Sequence, residues 1–161
     1  IKLPHDLNPG EVITLTLKYA VRVPELNVPQ SFGDANLAYT DDAMSIGYWY
    51  PLLAPYRSGA GWYATDWQSI GDPFVSEVAD YTAIITTTAG VTVVAGGDSS
   101  HAENVWRYDL PRARTFGMIA STQYQALSLP FGDVTYTVYT LPRHFPLASI
   151  ALKTTNATSR A

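Results

Sequence analysis

Between Tyr48 and Tyr81 the chain gathers three of its four tryptophans and five of its eleven tyrosines. Pro51, Pro55, Gly59 and Gly61 cut this run into pieces too short for an amphipathic helix, because proline removes a backbone donor and glycine adds conformational freedom. So much aromatic area must either fill a core or form a contact surface. Period two within Ile46-Gly47-Tyr48-Trp49-Tyr50 predicts Tyr48 and Tyr50 on one face of a strand and Trp49 on the other. The possible contact surface is therefore Tyr48, Trp49, Tyr50, Tyr56, Trp62, Tyr63 and Trp67.

The remainder of the chain allows an ordinary core. Its 161 residues suit one domain, 47% are apolar and 15% charged, and the net charge is −4. That is too apolar for a disordered chain, and too weakly charged, with scattered Lys and Arg, for a nucleic-acid binder that works by phosphate neutralisation. The absence of cysteine removes thiolate chemistry, disulfides and cysteine zinc sites together. No apolar run reaches the about 18 residues that span a bilayer.

Turn signals divide the chain at roughly ten-residue intervals. Leu7-Asn8-Pro9-Gly10-Glu11 reads as a turn leading into Val12–Val23, where Ile13, Leu15, Leu17, Tyr19, Val21 and Val23 alternate with more polar neighbours. Residues 24–43 read as loop. Met44–Ala54 reads as the aromatic strand, and 56–73 as an excursion held by its rings. Asp80–Thr88 and Val91–Gly96 read as two strands joined at Ala89-Gly90. Glu103–Leu110, Thr115–Gln123 and Val134–Thr140 follow, with a break at Pro111-Arg112. About seven or eight such strands predict an all-β, antiparallel sandwich. After Pro146, Leu147, Ile150 and Ala151 fall at helical spacing, so residues 1–145 read as the β-domain and 146–161 as a linker or the start of a further, helical domain. Ile1 stands where an initiator Met would, and the strand pattern begins almost at once. The chain is therefore expected to be a piece of something longer, with an apolar face left open to self-association.

No catalytic constellation survives inspection. His101-Ala102-Glu103 has the spacing of a zinc deaminase pair, but that chemistry needs a Pro-Cys-x-x-Cys. Asp98, Ser99, Ser100 and His101 supply hydrolase residue types without a nucleophile elbow, and read as a polar hairpin end. His5, His101 and His144 stand at no ligand spacing. Asp66, Asp72, Glu77 and Asp80 could supply calcium oxygens or a glycosidase carboxylate pair, though turn capping explains them more simply. Asn156-Ala157-Thr158 matches a glycosylation sequon.

The landmarks run in order from Leu7-Asn8-Pro9-Gly10-Glu11 with its following strand through Trp49-Tyr50-Pro51-Leu52-Leu53-Ala54-Pro55-Tyr56 and Ser76-Glu77-Val78-Ala79-Asp80-Tyr81. They continue through Val93-Val94-Ala95-Gly96-Gly97, Trp106-Arg107-Tyr108, Thr115-Phe116-Gly117-Met118-Ile119-Ala120-Ser121 and Val134-Thr135-Tyr136-Thr137-Val138-Tyr139. In this order they resemble the N-terminal domain of the aminopeptidase N family of zinc metallopeptidases, in a divergent bacterial branch. The resemblance implies a saddle-like sandwich, non-catalytic by itself, that packs on a catalytic domain of the same polypeptide and helps shape its peptide cleft. Zinc, His-Glu-x-x-His and Gly-x-Met-Glu-Asn would lie in that other domain, so no cofactor is expected in these residues. Family members also lend a Gln or Glu to the substrate amine; Ile46-Gly47-Tyr48-Trp49-Tyr50 offers neither. The competing reading is a carbohydrate-binding or protein-interaction module with exposed Trp and Tyr as stacking platforms.

Overall fold

Alternating apolar residues form the longest strands. The computed structural model describes residues 5–26, 36–64, 66 and 75–158. Among them are β1 (Leu37–Tyr39), β2 (Met44–Ile46), β3 (Tyr56–Arg57), β4 (Gly61–Trp62), β5 (Ala79–Thr86), β6 (Thr92–Ala95), β7 (Asp98–Ala102), β8 (Val105–Ala113), β9 (Met118–Ser121), β10 (Gln125–Phe131), β11 (Val134–Thr140) and the helix α1 (Phe145–Thr158). The chain is thus all-β with one C-terminal helix. In β5 the alternation is plain: Tyr81, Ala83 and Ile85 turn inward while Asp80, Thr82, Ile84 and Thr86 face out.

The strands form small antiparallel sheets. One has the order β1-β2-β9-β6, another β5-β8-β7, and β10-β11 and β3-β4 are two-stranded. Val93, Tyr108 and Phe116 are the buried centre, and the side chains packed on them come from β5 and β8 of one sheet, β6 and β9 of another, and from Trp49, Tyr50 and Val91 outside the strands. The Tyr108 hydroxyl donates to the Val93 carbonyl at 2.7 Å, tying the two sheets together through the core. Burial raises the Tyr108 pKa, so this donor keeps its proton.

Ala89-Gly90 does join two strands, but they belong to different sheets: β5 pairs with β8, and β6 with β9. A connection between sheets replaces the hairpin that the short loop suggests. At the other end of β6 the chain crosses back through Gly97, where φ is +96°. An added Cβ there would meet the Asp109 carbonyl oxygen far inside van der Waals contact, so only glycine fits.

Three expectations need correction. Pro111-Arg112 does not end β8; the strand runs through to Ala113, and the prolyl residue lies beyond the β7 ladder, where the register against β5 shifts between Ala79 and Tyr81. Arg112 takes φ +50° there, with its N–H donating to Asp80 Oδ1 at 2.8 Å. Second, strands form where the sequence pattern shows none: β1 within 24–43, β3 and β4 within 56–73, β7 at the polar hairpin end, and β10 before the Phe131-Gly132-Asp133 turn. β10 is ladder-paired only with β11, which lets it carry Pro130. Third, α1 buries Ala148 and Leu152 against β10 and β11, leaving Leu147 and Ile150 on the open side.

The greatest departure lies at Val12–Val23. Alternation predicts a strand there, yet residues 11–24 carry no regular secondary structure and join no ladder among the described residues. Just beyond them the chain touches a sheet edge: Leu26 N–H donates to Tyr39 O at 2.8 Å and Tyr39 N–H to Pro24 O at 2.9 Å.

Candidate functional site

The aromatic run starts from a tight approach. Gly47 N–H donates to the Asn36 carbonyl at 2.6 Å, and a Cβ on Gly47 would lie 2.9 Å from that oxygen, so the position requires glycine. Tyr48 follows with φ +52°, a left-handed conformation uncommon for a bulky residue. That kink ends β2 after three residues, so the expected Met44–Ala54 strand is much shorter than its pattern suggests. It also overturns the period-two assignment. Trp49 and Tyr50, expected on opposite faces, both pack against the core cluster, and Tyr48 stands 40% exposed.

Ring contacts fix this inner half. Trp49 meets Tyr50 edge-on at 5.6 Å, Tyr50 meets Tyr81 at 5.6 Å, and Tyr81 stacks toward Phe116 at 6.3 Å. Phe116 N–H donates to the Tyr50 hydroxyl at 2.8 Å, while the Tyr81 hydroxyl donates to Arg114 O at 3.0 Å. Burial, with the Tyr81 hydroxyl next, pushes the Tyr50 pKa up to about 12. The buried Trp49 indole N–H finds no acceptor among the described residues.

The outer half is the β3–β4 hairpin and its flanks. Ala60 N–H donates to Arg57 O at 3.1 Å across a turn with glycine at residues 59 and 61 in positive φ, and Tyr63 N–H donates to Pro55 O at 2.8 Å. Tyr56 and Trp62, 63% and 60% exposed, meet at 5.2 Å with planes 70° apart. The Arg57 guanidinium sits 4.7 Å above the Tyr63 ring. Inner and outer halves border one open groove of about 310 Å³, walled by Tyr48, Tyr50, Leu52, Leu53, Tyr63 and Val75. Its described lining holds no carboxylate, imidazole, ammonium or guanidinium. Such a surface offers apolar contact, ring stacking and phenolic hydrogen bonds rather than proton transfer.

The structure therefore brings Tyr48, Tyr50 and Tyr63 to one groove, sets Tyr56 and Trp62 on an exposed hairpin and commits Trp49 to the core; Trp67 lies outside the described residues. Sequence reasoning missed Val75 as a wall, since nothing local marks a residue so far along the chain. Leu52 and Leu53 were readable beside the run.

Elsewhere, polar residues have structural partners. His101 stacks on Trp106 at 4.4 Å within the β7–β8 ladder, which also contains Asp98, Ser99 and Ser100. His5 lies 3.5 Å from Glu11, and His144 Nε2 accepts from Arg143 Nε at 3.1 Å. Asp80 caps Arg112 N–H; Asp66 and Glu77 are exposed, and Asp72 lies outside the described residues. Asn156 lies in α1, but its side chain is not among those described. Among the described residues no three His, Asp or Glu side chains gather as a metal group, and no helix is long and apolar enough to cross a membrane. No protein-family model, curated protein or solved structure matches this chain.

Proposed function

We propose that the chain is the non-catalytic N-terminal β-domain of a zinc metallopeptidase resembling aminopeptidase N. In this reading the sheets containing β5-β8-β7 and β1-β2-β9-β6 close as a saddle-like sandwich. The groove and the β3–β4 hairpin pack on the catalytic domain of the same polypeptide and form one wall of its peptide cleft. Zinc and the bond-breaking chemistry belong to that domain, and peptide substrate meets this chain only through it.

The observation that carries the reading is the division of one aromatic run. Trp49 and Tyr50 are locked into the core, and from that fixed base Tyr48, Tyr56, Trp62 and Tyr63 stand out as an aromatic surface around an uncharged groove, with Arg57 over the Tyr63 ring at its margin. A largely aromatic surface of this kind suits a permanent neighbour within one polypeptide better than a soluble charged ligand. The landmark order from Leu7-Asn8-Pro9-Gly10-Glu11 to Tyr139 supports the same assignment.

Two experiments test it. Reading the frame past the Ala161 codon should find His-Glu-x-x-His within about one further domain length, and its absence overturns the assignment. Purified chain supplied with zinc should hydrolyse no peptide; measurable hydrolysis would be equally fatal.

The carbohydrate-binding alternative draws on the exposure of Trp62. A sugar platform calls for two or more exposed rings in one plane, whereas Tyr56 and Trp62 cross at 70° and Trp49 and Trp106 are partly buried. Saturable polysaccharide binding that is lost in Trp62→Ala would nonetheless establish it.

A further inference from the structure

We propose that β10, β11 and α1 form a lobe that opens from the rest of the chain about residues 122–124, and that the Asp42 carboxylate is the latch that holds it closed. Nothing in the metallopeptidase reading bears on this.

The packing divides at that point. α1 buries Ala148 and Leu152 beside β10 and β11, which gives the lobe a small core of its own. Among the described residues, no side chain from 125–158 belongs to the cluster around Val93, Tyr108 and Phe116. Burial, and after it the nearby Tyr139, raises the Tyr108 pKa, so β11 lies alongside that cluster without entering it. β10 is ladder-paired with β11 alone, and the backbone reaches β9 through residues 122–124. With neither a ladder nor a shared core across this boundary, the lobe has the makings of a unit that opens before the whole chain unfolds.

Hydrogen bonds at the boundary converge on Asp42. It lies in the turn between β1 and β2, which is held by Thr40: the Thr40 Oγ1 accepts from the N–H groups of Asp42 and Ala43, at 3.3 Å each. Asp42 Oδ1 accepts from Gln123 Nε2 at 3.1 Å, on the connecting segment, and Asp42 Oδ2 accepts from Arg143 Nη1, just past β11. The Asp42 carbonyl accepts from the Ser121 hydroxyl at 2.5 Å, and Ser121 Oγ accepts in turn from Gln123 N–H at 2.9 Å. On the far side, Arg143 Nε donates to His144 Nε2 at 3.1 Å, which helps to orient the guanidinium. The bond from Arg143, and after it the bond from Gln123, holds the Asp42 carboxyl below its ordinary pKa, so the latch is ionised at neutral pH.

The two carboxylate oxygens thus tie the segment that enters the lobe and the segment that leaves β11 to one fixed turn. A tie at two points restrains rotation about 122–124, whereas a tie at the entry alone would leave the lobe free to swing.

Hydrogen exchange in the full chain reads the opening directly. Amides of β10 and β11 should exchange through an event that leaves those of β8 and β9 protected. Asp42→Asn keeps an oxygen for Gln123 but removes the charge that faces Arg143. It should speed exchange in β10 and β11 by about two- to fivefold, the size expected of one surface charge pair, and leave β8 and β9 unchanged. Arg143→Gln should do the same, and the double variant should be no faster than either single one, because the pair is already broken. Equal acceleration in β8 and β9 would overturn the proposal, since the lobe would then open only with the whole chain. Unchanged exchange in Asp42→Asn, or additive effects in the double variant, would also refute it.

Discussion

Residues 79–140 and residues 5–64 have similar apolar alternation and reach different ends. In the first stretch nearly every alternating segment finds a ladder: β5, β7 and β8 zip together, β10 folds onto β11, and the core centre at Val93, Tyr108 and Phe116 lies wholly within it. In the second, the longest alternating segment joins no ladder among the described residues, and the densest aromatic run yields, before β5, the two-residue arms of the β3–β4 hairpin. Alternation alone therefore does not make a strand. It does not supply the neighbouring strand, which must come from elsewhere in space.

The sharpest way to test that contrast is to remove a ring from each region. Phe116→Ala, in a residue only 2% exposed, should destabilise by about 3–5 kcal/mol in denaturant unfolding, because a large cavity opens where two sheets meet. If the loss is below about 1 kcal/mol, the core is not where the contacts place it. Gly97→Ala comes next. Between left-handed strain and the clash with Asp109 O it should cost on the order of 2–3 kcal/mol, read as a lowered midpoint with unchanged slope.

Tyr50 bridges the two regions, and Tyr50→Phe should cost about 1–3 kcal/mol by stranding the Phe116 N–H. Its titration gives a second readout. The folded-state pKa, about 12, lies above the ordinary 10.0, so the folded protein holds this proton more tightly. The resulting stability is complete below pH 10 and is lost as pH rises through 12. Burial also raises Tyr108 and Tyr124, so tyrosinate absorbance should show several late-titrating groups and lose one of them in Tyr50→Phe. Smallest of all, Trp62→Ala on the open hairpin should shift stability by no more than about 0.5 kcal/mol. If it unfolds the chain, the hairpin belongs to the core and the contrast between the regions fails.

Much of this arrangement can be read from residue order, and the rest cannot for identifiable reasons. β5, β8 and β11 are legible because each alternates over a full strand length. Pro130 conceals β10, because a proline is compatible with a strand only if its missing N–H faces an open side, and openness is a property of the sheet. Pro111 conceals the end of β8 for a related reason, the bulge at Asp80. At the candidate site, Tyr48, Tyr50 and Tyr63 are legible by type. Their division into anchor and surface is not, since it depends on the Tyr48 φ and on a carbonyl contributed by Asn36. In α1 the spacing of Leu147 and Ile150 marks the face that stays open, while the burial of Ala148 and Leu152 beside β10 and β11 depends on where those strands lie.

The pairing of β2 with β9 also sets a timetable. Met44 opposes Ala120, Phe116 N–H reaches Tyr50 across 66 residues, and the Ser121 hydroxyl reaches Asp42 across 79. Contacts of such long sequence separation close slowly, since loop-closure entropy is lost before they form. On a ribosome adding about 5–20 residues per second, the strand that receives Met44 is made roughly 4–15 s after it. Throughout that interval Trp49 and Tyr50 have no core to enter. The nascent N-terminal half therefore keeps these rings in water until residues 116–121 emerge.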